Sequence, residues 1–414
     1  MTIREEDTLT TEAYQQALAL LRRCQTAAGF IASPVAIDNY ARVWARDGII
    51  TGLAALVSGD SLLIEGMERT LYTLKTHQGP HGEIPSNVSL DGQQVSYGRL
   101  VGRVDAPLWY IIGTSAYLSM TKQLWRRYLH QQEVERAMFL LECWEYNNRG
   151  LLYTPISGNW ADEYILEGYI LSDQLLYLLA LQLGGEVFSK KAWLEKAHRL
   201  HKQLALNYWP DMAHLANPQV YHTHAYRQQA EQGEPQHWLA AFSPTGYTNY
   251  FDALAHGLAL LTGLGNEQQR EQAERYTQGL EQQTASAMLP AFWPVIQTGD
   301  AHWAALQANH LFGTMKNQPY HYHNGGLWSM VTGFYILGLM HYNMKERAQH
   351  VLNALNRANA QGREEQEGDQ WEFAEYHHGQ THEPLGTPYL AWSAAATVLG
   401  HQAVMHNIMP FQLT

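Results

Sequence analysis

Apolar residues recur three and four positions apart through 11–24, 133–146, 190–206 and 345–359. That is the period of a helix that buries one face and wets the other. A second set of segments, 47–57, 107–120, 170–183, 250–264, 325–340 and 388–400, is apolar nearly all round and predicts fully buried helices. The two sets alternate, and with further amphipathic stretches at 61–76, 267–285 and 301–313 they predict roughly twelve helices in six pairs. Six inner and six outer helices make an all-α (α/α)6 barrel. No segment between them has the composition of a linker, so residues 1–414 are expected to form one domain. No fixed-period repeat is visible, and an open array of stacked repeats fits less well.

The loops that enter the inner helices of such a barrel converge on one end, where a rigid scaffold can position them. Here they read NYARVWARD (39–47), GRVDAPLW (102–109), SGNWADEY (157–164), FSPTGYTNYFD (242–252), YHYHNGG (320–326) and WEFAEYHHG (371–379). They place Asp47, Asp105, Asp162, Asp252 and Glu375 among Tyr40, Trp44, Trp109, Trp160, Trp328, Trp371 and Tyr376. Carboxylates between rings suit carbohydrate. Cleaving a glycosidic bond needs one carboxylic acid to protonate the leaving oxygen and one carboxylate to activate water or attack carbon. Asp162, two residues after Trp160, suits the acid if a ring desolvates it, and Glu375, in a loop between aromatics, suits the base. Each carboxyl alone also fits a helix N-cap or a solvated charge, and Asp47 stands where an N-cap is expected.

The same loops permit other chemistry. His321, His323, His377 and His378 are potential metal ligands, but they lack the helical i, i+4 spacing, and hydrogen bonding fits HYH better. Gly325 and Gly326 allow a phosphate nest, though without a Lys or Ser/Thr partner a tight turn fits better. No metal or cofactor is expected.

Composition narrows the partner. The chain is 46% hydrophobic with 13 Trp and 24 Tyr, enriched in rings that line small-molecule pockets. A formal charge of −12 and the absence of any Lys/Arg run argue against nucleic acid and against an anionic membrane surface. A small neutral saccharide is the expected partner, with a homo-oligomer left open. The beginning, MTIREEDTLT, has no apolar core of a signal peptide, and no stretch of about 18 apolar residues predicts a membrane span. Two cysteines, Cys24 and Cys143, are too few for a disulfide framework, which suits a reducing cytoplasm.

Taken together the entrances resemble the alkaline/neutral invertases, glycoside hydrolase family 100. Asn39, Tyr40, Val43, Arg46 and Asp47 look like that family's first substrate-binding entrance, and GRVDAPLWYII from Gly102 resembles its Gly-Arg-Val, Asp and Leu-Trp segment. KNQPYHYHNGG (316–326) is close to its Lys-Asn-x-Pro…Tyr-His-Asn-Gly-Gly, and AEYHHG (374–379) to its Glu-Tyr-x-x-Gly. The likeness spans most of the chain and implies an (α/α)6 barrel that hydrolyses sucrose with inversion, with Glu375 as base and Asp162 as acid. It also implies that Tyr40, Arg46, Asp47, Arg103, Asp105, His323, Asn324 and Tyr376 hold the sugar. Trp160, Trp328 and Trp371 are candidates for stacking on it or for the core.

One departure stands out. Plant and cyanobacterial invertases follow the acid with two Arg and a Met, where this chain has Glu163, Tyr164 and Ile165. Because those positions flank the leaving-group side, the expected substrate widens from sucrose to sucrose or a related disaccharide or glucosyl compatible solute. The Ser-Gly-x-Trp-x-Asp lead-in is also similar to glycoside hydrolase families 63 and 37.

Inversion requires carboxyls about 6.5–9.5 Å apart, and a retaining pathway would use the same pair at about 5 Å. Two rivals share the fold: a sugar epimerase with a His pair drawn from His256, His323 and His377, and a non-catalytic carbohydrate-binding barrel. The charged stretch 361–370 is either a lid beside the base or a solvated loop, and its charge favours the loop.

Overall fold

The computed structural model describes residues 3–310, 313–363 and 370–411. Most of the 361–370 stretch, and with it any lid, lies outside the described residues. In chain order the helices are α1 (Ile3–Arg23), α2 (Ala45–Ser58), α3 (Ser61–Thr76), α4 (Asp105–Met120), α5 (Gln131–Cys143), α6 (Leu171–Val187) and α7 (Lys191–Asn207). They continue with α8 (Thr223–Ala230), α9 (Ala253–Leu261), α10 (Glu267–Thr284), α11 (Trp303–Ala308), α12 (Ser329–His341), α13 (Lys345–Asn359) and α14 (Ala391–His406). Helices α2, α4, α6, α9, α12 and α14 each pack on the next, and α14 packs back on α2, so the six form a closed ring. Helices α1, α3, α5, α7, α10 and α13 surround it. This is the (α/α)6 barrel.

The two hydrophobic patterns explain the two layers. Every residue of α12 from Ser329 to Met340 is buried, as an inner helix touched on all sides requires. In α10 only Ala273, Glu274, Thr277, Leu280 and Thr284 are buried, one stripe at helical spacing. The pattern at 61–76 and 345–359 matches α3 and α13 to the residue. At 301–313 it overreaches: the described part holds only the six-residue α11, too short to join the outer layer. The first helix is an outer one, as the amphipathic stretch at 11–24 predicts. Helix α1 packs on α13 and α14, so the two ends of the chain together close the toroid.

The inner helices start in an unusual way. Trp44, Ile170, Trp328 and Leu390 precede α2, α6, α12 and α14 in extended conformation, and none offers a side-chain cap. At three of these starts the first helical N–H is met instead by a neighbouring loop. Ala45 N–H donates to Ser86 O at 2.9 Å, Leu171 to Ala240 O at 2.8 Å, and Ala391 to Ala32 O at 2.8 Å. Short antiparallel pairs tie the same loops together, Val43–Trp44 with Asn87–Val88, and Tyr169–Ile170 with Ala241–Ser243. Asp47 is therefore not the N-cap that its position suggested; it is the third residue of α2, in the first turn, and buried.

Asp252 is a true cap, its Oδ1 accepting from Ala255 N–H at 3.1 Å at the start of α9. Burial pushes its carboxyl up to about 6 from an ordinary 3.8, with the Ala255 N–H pulling the other way. Because the folded value lies above the unfolded one, the native state holds the proton longer, and stability falls as pH rises from about 4 to about 6. Asp252→Asn keeps the cap acceptor and removes the charge. It is expected to be more stable than the parent at pH 7, by up to about 3 kcal/mol, and no more stable at pH 4. Urea melts at both pH values check this; a difference that does not change with pH would contradict it.

Candidate active site

The starts of the inner helices open on a cavity of about 400 Å³. Asn39, Tyr40, Trp44, Arg46, Asp47, Trp160, Asp162, Tyr322, His323, Trp328, Glu375 and Trp392 line it, with Asp38, Arg42, Arg99 and Lys316. Larger cavities of about 730 and 800 Å³ lie elsewhere. What separates them is unsatisfied chemistry. Arg46 Nε, Asp47 Oδ2, Trp160 Nε1, His323 Nδ1 and Trp392 Nε1 are buried without a hydrogen-bond partner, and all five belong to residues around the 400 Å³ cavity. The 730 Å³ cavity has no such atom among its described lining residues, and the 800 Å³ one has only Ser115 Oγ. An orphaned donor or acceptor costs on the order of 1–3 kcal/mol, so several around one space mark a place where a polar ligand or water completes them.

Glu375 is 5% exposed. Tyr40 Oη donates to its Oε1 at 2.8 Å and Thr387 N–H to its Oε2 at 3.0 Å, so both oxygens are fixed. Burial raises its pKa above the ordinary glutamate range; the Thr387 N–H, Lys316 and Tyr40 counter this, and the charge of Asp162 adds to it. Gly386 backs the carboxylate: a Cβ there would meet Glu375 Oε2 at 2.5 Å, and its φ of +77° suits glycine. Neither Thr387 nor Gly386 stood out in the sequence, because a donor and a gap behind a carboxylate have no motif.

Asp162 reaches the same cavity. Its expected apolar surroundings are not what the structure shows, for Arg103 Nη2 donates to Asp162 Oδ2 at 2.6 Å. Trp160 instead turns to other rings, edge-on to His323 and Trp328 with centroids 5.0 and 5.6 Å away. Arg103 also donates to Ser157 O and does not itself line the cavity. Asp105 is likewise behind the wall, accepting from Arg46 Nη1 at 3.0 Å. Arg46 Nε lies 3.8 Å from Asp47 Oδ2, leaving both short of a hydrogen bond. Burial raises the Asp47 carboxyl to about 6, with Arg46 opposing.

His323 stacks on Trp328, centroids 5.0 Å apart, and burial with the charges of Arg46, Lys316 and Arg103 holds its pKa well below the ordinary value. It is therefore a neutral ring. Its neighbour Asn324 does not face the cavity: Oδ1 accepts from Ile296 N–H at 2.8 Å and Nδ2 donates to Ile296 O at 2.9 Å, pinning the turn. Gly326 makes that turn possible, since a Cβ there would run into Tyr322 O. Tyr376 also stacks on Trp328, centroids 5.6 Å apart, and Trp371 bonds through Nε1 to Glu12 of α1 at 3.1 Å. Neither lines the cavity.

Glu163 and Tyr164 are buried and also outside the lining, Tyr164 stacked on Phe292 at 4.3 Å, so these two residues pack in the protein and not on the cavity wall. Of the three histidines proposed for an epimerase, only His323 lines the cavity; His256 lies among Trp238, Phe251 and Tyr335, and His377 Nε2 pairs with Ala358 O at 3.0 Å.

No family model matches the chain. The fold is that of the six-hairpin glycosidases. It is similar to a family 63 mannosylglycerate hydrolase from Thermus thermophilus in complex with Tris and D-glycerate, with a TM-score of 0.64 and 13% identity over 94% of this chain and 99% of that one. It is also similar to a bacterial glucoamylase complexed with acarbose, with a TM-score of 0.64 and 13% identity over 96% of this chain and 56% of that one. In sequence the chain is a relative of the mitochondrial neutral/alkaline invertase 1 of Oryza sativa subsp. japonica, 23% identical over 95% of this chain and 70% of the rice protein.

Proposed function

We propose that residues 1–414 form one catalytic domain that hydrolyses a small α-glycoside with inversion, Asp162 acting as general acid and Glu375 as general base. The observation that carries this is the convergence of the two carboxyls on one ring-lined cavity with five orphaned polar atoms. In the reaction Asp162 gives its proton to the glycosidic oxygen as the C1–O bond breaks. A water on the opposite face attacks C1 and loses its proton to Glu375. Burial of Glu375 favours the protonated form, which makes it a stronger base, and Tyr40 and Thr387 aim it. Arg46, Asp47, His323 and the indole N–H groups of Trp160 and Trp392 supply directed bonds to sugar hydroxyls, completing groups that are otherwise unpaired.

Glu375 must be ionised to accept the proton, so kcat/KM is expected to fall on the acid side at a pH above the usual glutamate range. The reading takes support from the invertase relative and from the glycosidase neighbours, one of which acts on a glycoside of glycerate. Sucrose, a related disaccharide and a glucosyl compatible solute are the substrates the proposal admits. Cys24 and Cys143 are free thiols, as a reducing compartment such as the cytoplasm would leave them.

The test is proton NMR during hydrolysis of a panel of α-glucosides, α-mannosides and sucrose. The β-anomer is expected as the first sugar product. The α-anomer appearing first would replace inversion by retention, and no sugar released from any member would overturn the hydrolase reading.

A further inference from the structure

Asp162 sits on a loop with little structure of its own. Residues 155–167 form neither helix nor strand, and one bridge closes their base, Thr154 and Gly168 exchanging N–H to O bonds of 2.7 and 2.8 Å. Local turns bind Gly158 N–H to Pro155 O at 2.9 Å and Tyr164 N–H to Ala161 O at 3.0 Å. Further hold comes from distant segments. Val104 N–H donates to Gly158 O at 2.8 Å, and Arg103 grips Ser157 O and Asp162. Two asparagines add the rest of the frame. Asn309, at the end of the six-residue α11, accepts at Oδ1 from Ser157 Oγ and donates through Nδ2 to Tyr164 O, both at 3.0 Å. One amide thus joins the two ends of the segment that carries Trp160 and Asp162. Asn317, 1% exposed, donates through Nδ2 to Glu163 O at 2.9 Å and accepts at Oδ1 from His323 N–H at 2.9 Å. It ties the residue after the acid to the backbone of a ring that lines the cavity. Glu163 O and Tyr164 O can only accept, so each amide must turn its nitrogen to the acid loop, and an aspartate in either place could not make that bond.

We propose that Asn309 and Asn317 are positioning residues for the general acid, holding its loop so that the Asp162 carboxyl stays at the glycosidic oxygen. The proposal rests on the hydrolase reading above, in which Asp162 gives its proton to the leaving group. Neither asparagine lines the cavity, so both reach the reaction through the loop they hold. An acid displaced by about 1 Å donates its proton up to about 10²-fold more slowly, while a bond that breaks without a proton is indifferent to the shift. This gives α11 a use that its length denies it in the outer layer.

Asn309→Ala, Asn309→Asp and Asn317→Ser are compared with the parent on an alkyl α-glycoside and on the matching α-glycosyl fluoride, glucosyl and mannosyl alike. Asn309→Asp keeps the acceptor for Ser157 and removes the donor for Tyr164, so it tests that one bond. Each variant is expected to lose about 10- to 100-fold in kcat on the alkyl glycoside, with KM little changed and the fluoride slowed by less than about threefold. Equal losses on the two donors, or no loss on either, overturn the proposal. Asn317 is buried, and if Asn317→Ser does not fold, the two variants of the half-buried Asn309 decide. Hydrogen exchange separates this outcome from the hydrolase reading. If the parent cleaves none of the donors that reading fails, while faster exchange over 157–164 in the variants, with 371–379 unchanged, still supports the hold on Asp162. Exchange equal to that of the parent overturns it.

Discussion

Glu375→Gln is expected to lower kcat on an alkyl glycoside by about 10³-fold while the protein stays folded. The substitution preserves shape: an amide oxygen can still accept from Tyr40 or from the Thr387 N–H, and Gly386 still leaves room behind it. What is lost is the ability to take a proton from water. Added azide needs no such help, so with α-glucosyl fluoride as donor it is expected to restore turnover and to give the β-glucosyl azide of a single displacement. Far-UV circular dichroism, steady-state rates and product NMR together check this. A variant that retained most of its activity would remove Glu375 from the chemistry and return attention to His323.

Asp162→Asn is expected to cost about 10²–10⁴-fold on substrates with a poor leaving group. The loss is expected to be far smaller on α-glucosyl fluoride, whose fluoride departs without a proton from a general acid. That contrast separates proton donation from binding, because loss of the Arg103 ion pair at 2.6 Å would disturb the cavity for both donors alike. Parallel rate measurements on the two donors check it, and equal losses would make Asp162 a positioning group. Arg103→Lys serves as the companion, since it keeps the charge and removes the fork that holds both Ser157 O and Asp162.

The ring of helices was legible because burial leaves a period in the sequence. A helix touched on all sides is apolar on all sides, and one touched on a single side carries a stripe, as α12 and α10 show. Tyr40, Arg46, Asp47, Trp160, Asp162, His323 and Glu375 were legible as cavity residues because polar and ring-bearing side chains crowd the loops before those helices. Asn324 and Trp371 sit in the same loops yet face inward or outward, and nothing in a loop has the regular period that would distinguish direction. The residues after Asp162 looked like leaving-group contacts for the same reason. Arg42 and Lys316 lay inside stretches already quoted, but that both line the cavity depends on contacts between segments far apart in the chain.

The starts of α2, α6 and α14 are held by carbonyls of adjacent loops, and this has a consequence for how the molecule tolerates change. Trp44, standing at the start of α2 without capping duty, can be exchanged for another side chain while the helix keeps its partner Ser86 O. Shortening a loop is different, because the carbonyl it withdraws belongs to its neighbour's helix, as Ser86 O belongs to α2 and Ala32 O to α14. Variation by substitution stays local, whereas variation by insertion or deletion travels round the hoop. Descendants of such a chain are free to diversify what the mouth grips long before they are free to alter how its loops are cut.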